Sequence, residues 1–153
     1  MAAFVLNKRA VVSGRSMEPT LLPGERVLVN RLAFRQCPPE RGDIVLARHP
    51  QQPKQVIIKR VAAVPGDHVV ASPNGLLVNG QAVLEWDHSC WDNPNNVGAR
   101  HLGPEEFFLI GDAAELHPAA STDSRSFGPV RRKLILGRVW SVYWPLDHVR
   151  RVN

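Results

Sequence analysis

VIIKRVAAVPGDHVVASPNGLLVNG, residues 56–80, is the stretch that decides how this chain folds. Its apolar residues are mostly β-branched, and its runs are cut by Pro65-Gly66-Asp67, Pro73-Asn74-Gly75 and Asn79-Gly80. Side chains branched at Cβ pack well on a pleated surface, while Gly, Asn and Pro supply the backbone angles of tight turns. The pattern therefore predicts strands joined by turns, over 56–64, 68–71 and 76–79. Asn74-Gly75 and Asn79-Gly80 predict tight hairpins, the second inside a hairpin over 76–84.

Outward from there the same signature recurs at 26–30 (RVLVN), 43–47 (DIVLA), 107–110 (FFLI) and 136–144 (LGRVWSVYW). Pro23-Gly24, Arg41-Gly42-Asp43 and Gly111-Asp112 are further turn signals. Thirteen prolines and 11 glycines, spread throughout, leave little room for long helices. Residues 104–108 predict a turn, and 129–134 (PVRRKL) a short helix with proline at its first position. Residues 87–104 lose the alternation, are rich in Asn, Pro and Gly, and predict a surface loop. The expected class is mainly β. With 153 residues, 44% apolar and 22% charged, a single packed domain over 1–153 is expected.

No uninterrupted apolar run approaches the roughly 20 residues of a membrane-spanning helix. Nineteen Lys and Arg against 14 Asp and Glu leave a net charge of +5, which suits an anionic membrane surface, nucleic acid or an acidic partner. Arg131-Arg132-Lys133 and Arg150-Arg151 lack the interleaved aromatics of a single-strand platform, so no nucleic-acid partner is expected. Cys37 and Cys90 have no CxxC spacing, and the sequence leaves open whether they pair. Asp87, His88, Cys90 and Asp92 match no zinc spacing and read as a polar loop. There is no P-loop, G-x-G-x-x-G or H-E-x-x-H, and no cofactor or metal is expected. Gly14-Arg15-Ser16-Met17-Glu18 fails the G-x-S-x-G elbow at its last position.

Two residues remain. Ser16 lies where a strand-like run meets a glycine and then Pro19, a setting that exposes a hydroxyl, or an ordinary polar turn serine. Lys59 is more telling. In a strand, Ile57, Lys59, Val61 and Ala63 share one face and Ile58, Arg60 and Ala62 the other. Lys59 therefore projects from an apolar surface. Burial disfavours an ammonium and can lower its pKa by about 3–5 from a reference near 10.4, leaving a neutral amine able to act as base for a serine hydroxyl. The alternative is an edge-strand lysine whose amine snorkels to water.

Four segments in order carry a resemblance. Ser13-Gly14-Arg15-Ser16-Met17-Glu18-Pro19-Thr20-Leu21 resembles a nucleophile box, S-M-x-P-T-L after a glycine. Arg41-Gly42-Asp43-Ile44-Val45 resembles an R-G-D-I-V box. Residues 58–69 (IKRVAAVPGDHV) resemble the lysine box K-R-V-x-x-x-P-G-D-x-V. Gly111-Asp112, with Ser121-Thr122-Asp123-Ser124-Arg125-Ser126-Phe127-Gly128-Pro129-Val130, resembles G-D-N…S-x-D-S-R-x-F-G-P-V. The chain thus resembles the type I signal peptidases, membrane-linked serine proteases with a Ser-Lys dyad.

The resemblance implies an antiparallel β assembly with a small inserted β and loop region, here a shortened insertion over 67–110. It implies Ser16 as nucleophile, Lys59 as its base and Ser121 as the hydroxyl that orients the lysine. Asp123 and Arg125 would form a supporting ion pair, Met17 would line the site, and Gly14 stands where some members add an oxyanion-hole serine. The implied substrate is a preprotein or proprotein bound as an extended strand and cut after small residues, Ala-x-Ala.

Three departures are visible. The family usually carries an N-terminal anchor, whereas only some nine residues precede the nucleophile-box strand here. Membrane association is therefore expected to be peripheral, or through an anchor outside this chain, at the extracytoplasmic face, with a cytoplasmic location as the alternative. The usual G-D-N reads Gly111-Asp112-Ala113, followed by an insertion over 114–120. The segment 67–110 is short. The compact form also resembles the nickel superoxide dismutase maturation proteases, which trim an intracellular leader. An inactive peptide-binding β module predicts that one dyad residue is missing, and both are present.

Overall fold

The computed structural model of the chain describes residues 7–72, 75–85, 98–113 and 122–153. Twelve strands dominate the described residues: β1 (Asn7–Val11), β2 (Arg26–Asn30), β3 (Ile44–Arg48), β4 (Val56–Ala63), β5 (His68–Ser72), β6 (Gly75–Val78), β7 (Gln81–Glu85), β8 (Gly98–His101), β9 (Glu106–Ile110), β10 (Val130–Arg131), β11 (Ile135–Trp144) and β12 (Arg150–Arg151). One short helix, α1 (Ser124–Phe127), precedes β10.

Eight strands form one sheet in the order β1-β2-β11-β3-β4-β9-β10, with β12 beside β11. Every pairing is antiparallel. The sheet curls, so that β1 and the start of β4, four places apart in strand order, line the same cleft. β3 explains the curl's interior: Ile44 and Leu46 join one apolar cluster with Val27, Val29 and Val139, while Val45 and Ala47 join another with Val61, Phe107 and Leu109. A strand covered on both faces loses alternation, which is why IVLA reads as a continuous apolar run.

A second sheet, β7-β6-β5-β8, is built from residues 68–101. Val69, Ala71, Leu76 and Val78 pack its inner face on Ala62, Ala63, Phe108 and Ile110. Val78 opposes Gln81 across the Asn79-Gly80 turn, where φ is 52° and 80°. Two positive φ angles match the twist of the flanking strands, as the Asn-Gly signal predicts. Asn74 of the other predicted turn lies outside the described residues, as do Asp87, His88, Cys90 and Asp92.

Two expectations are corrected. Residues 98–101 are not loop: β8 pairs with β5 residue by residue from His68↔His101 to Ala71↔Gly98. All four of its residues are exposed, so pairing with β5 defines the strand and no alternation marks it. Residues 129–134 do not begin a helix at Pro129. Val130 is buried and pairs with Phe107, and only Arg132–Leu134 make a single 3-10 turn, fixed by the Arg132 N–H on the Glu105 carbonyl at 2.8 Å. Cys37 is exposed; Cys90 is outside the described residues.

Candidate active site

The segment between β1 and β2 is tied at its base by the Val12 N–H to the Glu25 carbonyl, 2.8 Å, and the Gly24 N–H to the Val12 carbonyl, 2.9 Å. Within it Met17 and Leu21 are buried among Val12, Val27 and Val142 and joined by the Leu21 N–H to the Met17 carbonyl, 2.9 Å. Burying these two side chains fixes the loop and leaves the residue before Met17 facing outward. That residue is Ser16. Gly14 has φ 78°, a left-handed conformation that glycine adopts without strain.

Lys59 enters from β4. Ile57, Lys59 and Val61 point inward as the alternation predicts, and Lys59 is only 2% exposed. The alternation then fails. A bulge between Val61 and Ala63 in the pairing with β9 buries both Ala62 and Ala63. The amine does not snorkel to water: Lys59 Nζ donates to Ser16 Oγ at 2.5 Å. Burial pushes the Lys59 pKa below its ordinary value of 10.5, helped by the Arg125 cation, while the Asp123 and Asp112 carboxylates oppose the change. With the amine neutral the same contact reverses, the hydroxyl donating to the nitrogen lone pair.

Asp123 and Arg125 are both buried. Asp123 caps α1 by accepting from the Arg125 N–H at 3.0 Å, pairs with the Arg125 guanidinium at 2.7 Å, and accepts from the Gly111 N–H at 2.9 Å. Burial alone would raise its carboxyl pKa. The Arg125 and Gly111 donors outweigh that and hold it below its ordinary range. Ser121 lies outside the described residues; its neighbour Thr122 lines the cleft.

Sequence reasoning assigned no role to Arg60, Asp112 or Thr20, yet they join the boxes. Arg60 donates to Asp112 through Nε at 2.8 Å and Nη2 at 2.7 Å, and to the Gly42 carbonyl at 2.8 Å; Thr20 Oγ1 donates to Asp112 at 2.6 Å. A planar guanidinium and a carboxylate matched at two points fix the orientation of both partners. Arg60 therefore ties the lysine strand, the Arg41-Gly42-Asp43 turn, the Gly111-Asp112 turn and the nucleophile loop together. No local signal in the sequence joins them, because the partners are 52 and 92 residues apart.

Gly111 is the second glycine with a definite reason. A Cβ there would run into the Ser16 carbonyl oxygen and come within 3.3 Å of Ser16 Cβ. The Ala113 N–H holds that same carbonyl at 3.1 Å. Gly111→Ala is thus expected to displace Ser16, and a shift of about 1 Å at a reacting group costs about 100-fold in turnover. Steady-state kinetics with a folding check by circular dichroism tests this; an unchanged kcat contradicts it.

The cleft before Ser16 and Lys59 has a volume of about 400 Å³ and is walled by β1 and by residues 55–59. Comparison with known proteins defines the class as serine endopeptidase. A family model described as signal peptidase, peptidase S26, matches residues 1–144, and the chain belongs to that family. It is 30% identical over 151 residues to a probable signal peptidase I-2 of Synechocystis, covering 95% of this chain and 66% of that protein. It is 34% identical over 139 residues to signal peptidase I V of Bacillus subtilis, covering 82% of this chain and 79% of that protein. To the human mitochondrial inner membrane protease subunit 1 it is 31% identical over 135 residues, covering 88% of this chain and 68% of that protein.

Proposed function

We propose that the chain is a leader-removing endopeptidase in which Ser16 is the nucleophile and Lys59 the general base. The observation that carries this is the 2.5 Å contact between a cleft-facing hydroxyl and an amine 2% exposed. Neutral Lys59 takes the Ser16 proton as Oγ attacks the scissile carbonyl. The Ser16 N–H, which has no acceptor among the described residues, is the proposed donor to the developing oxyanion. Gly14 adds no hydroxyl there. Protonated Lys59 then gives its proton to the leaving amine, and in the second half-reaction takes one from the water that releases the acyl group. Ser121 is proposed to orient the amine, and Met17 to wall the site.

Strand edges support an extended substrate. Among the described residues β1 pairs only with β2, and β4 meets β9 only from Arg60 onward, so the cleft has an unpaired edge on each side. A peptide added between them would satisfy main-chain groups on both. Small residues, Ala-x-Ala, are the proposed recognition. Incubating the protein with a preprotein carrying such a site, and sequencing the new N-terminus, tests the reading. A cut after the second alanine is expected. No cut, or one that Ser16→Ala still makes at the wild-type rate, overturns it.

The proposed setting is an anionic membrane surface at the extracytoplasmic face. No helix among the described residues is long and apolar enough to cross a membrane. A row of exposed residues, Val11↔Arg26↔Trp144, crosses β1, β2 and β11, with the Arg26 guanidinium 4.6 Å over the Trp144 ring and Leu146 beside it 82% exposed. Burying one leucine contributes about 1.5–3 kcal/mol, so Leu146→Glu should weaken sedimentation with phosphatidylglycerol vesicles by about tenfold or more. Equal sedimentation of both proteins contradicts the membrane setting.

A further inference from the structure

The chain's last eight residues reach back to the nucleophile loop. After β11 a single 3-10 turn, Leu146–His148, leads into β12, which pairs Val142↔Arg150 and Ser141↔Arg151. From β12 the Arg150 guanidinium extends beneath the loop. Its Nη2 donates to the Thr20 carbonyl at 2.7 Å and to Glu25 Oε2 at 2.9 Å; its Nη1 donates to Glu25 Oε1 at 2.7 Å and to the His148 carbonyl at 3.0 Å.

Glu25 is 2% exposed and lies at the base of the same loop. It also accepts from the Leu22 N–H at 3.0 Å, and its Oε1 is 3.0 Å from His148 Nδ1. A carboxylate this deep is costly unless it is bonded at both oxygens, and Arg150 supplies the matching fork. Burial raises the Glu25 carboxyl pKa, and the Arg150, Leu22 and His148 contacts more than reverse this. The loop is thus held at Thr20 from two sides, by Arg150 on the carbonyl and by Asp112 on the hydroxyl at 2.6 Å. Ser16 is four residues away, on the turn closed by the Glu18 N–H to the Arg15 carbonyl at 3.0 Å, which leads into the one closed by the Leu21 N–H to the Met17 carbonyl.

We propose that Arg150, seated on Glu25, is a positioning residue for Ser16, so that the C-terminal segment sets the nucleophile's place in the cleft. This rests on the reading of Ser16 as nucleophile. Arg150 contributes nothing to the cleft lining and does not approach Lys59. Lysine cannot replace it, because one ammonium point charge cannot bridge a carboxylate and a carbonyl in the fixed fork of a guanidinium.

The test compares wild type, Arg150→Lys and Arg150→Ala by two readouts: amide hydrogen exchange over residues 14–22, and kinetics on an Ala-x-Ala peptide. Arg150→Lys keeps the charge over Glu25 and guards against a variant that fails to fold. Expected are loop amides exchanging about tenfold faster or more, kcat lower by about 10–100-fold, KM within twofold, and an unmoved midpoint of the pH–rate profile. Unchanged loop exchange in Arg150→Lys overturns the proposal. So does faster exchange with wild-type kcat, or a loss confined to KM. Ser16→Ala run alongside separates the two ideas: if it cleaves like wild type the reading of Ser16 as nucleophile fails, while the exchange arm still decides whether Arg150 holds the loop.

Discussion

Lys59→Met is expected to abolish peptide cleavage while leaving the protein folded and more stable at neutral pH than wild type. The activity loss follows from removing the only amine in contact with Ser16 Oγ among the described residues. A positioned general base contributes about 10²–10⁴-fold, and the loss should be at least that large. The stability gain follows from the direction of the Lys59 pKa, which lies below its ordinary 10.5 in the folded protein because burial disfavours the cation. Between the folded and unfolded values the unfolded chain binds the proton and the folded one does not. Wild-type stability therefore rises with pH through that window, and is reduced below it. Methionine of similar length carries no charge to desolvate. Urea unfolding of both proteins at pH 7 and pH 10.5 checks this: the advantage of Lys59→Met should shrink at the higher pH. A variant that cleaves normally, or is less stable at pH 7, counts against a buried neutral amine.

Asp123→Asn should have the largest effect on stability. Its carboxylate is 0% exposed and accepts from the Gly111 N–H, the Arg125 N–H and the Arg125 guanidinium, joining α1 to the turn beside Ser16. Asparagine keeps the volume but removes the carboxylate charge that pairs with the buried Arg125 guanidinium, and breaking such a pair costs about 3–5 kcal/mol. The pH dependence has a definite sign. Because the folded Asp123 carboxyl is held below its ordinary 3.8, its contribution is complete above that value and is lost as pH falls through the lower, folded one. Acid unfolding of Asp123→Asn should lack this component. The rate profile should move too. The Asp123 charge favours protonated Lys59, so its removal should shift the pH–rate midpoint downward. A thermal midpoint within a degree of wild type would contradict the structural role, and an unmoved profile would contradict the electrostatic one.

Much of this was legible in the sequence where one residue breaks its surroundings. Lys59 interrupts an apolar alternation, and that interruption alone marks it. The strands at 26–30, 44–48, 56–63 and 135–144 stood out because packing on a core selects β-branched residues at fixed spacing. β8 did not, because Gly98, Ala99, Arg100 and His101 are all exposed and carry no apolar alternation. α1 is four residues long and depends on its N-cap, the buried Asp123, more than on any helical period. The same limit hid the supports of the site. Arg60 with Asp112, Thr20 with Asp112 and Arg150 with Glu25 are separated by 52, 92 and 125 residues, and no local pattern reports a contact that the sheet order creates. The four boxes place these residues in the chain without saying which of them meet.

The proposed role of Lys59, its pKa lowered by burial, is that of base for Ser16. Its most direct test is the pH dependence of kcat/KM for an Ala-x-Ala peptide from pH 5 to 11. The expected rate rises with pH through a single ionisation whose midpoint lies below 10.5, and this limb is absent in Lys59→Met. A rate independent of pH, or a limb that survives in Lys59→Met, would contradict it.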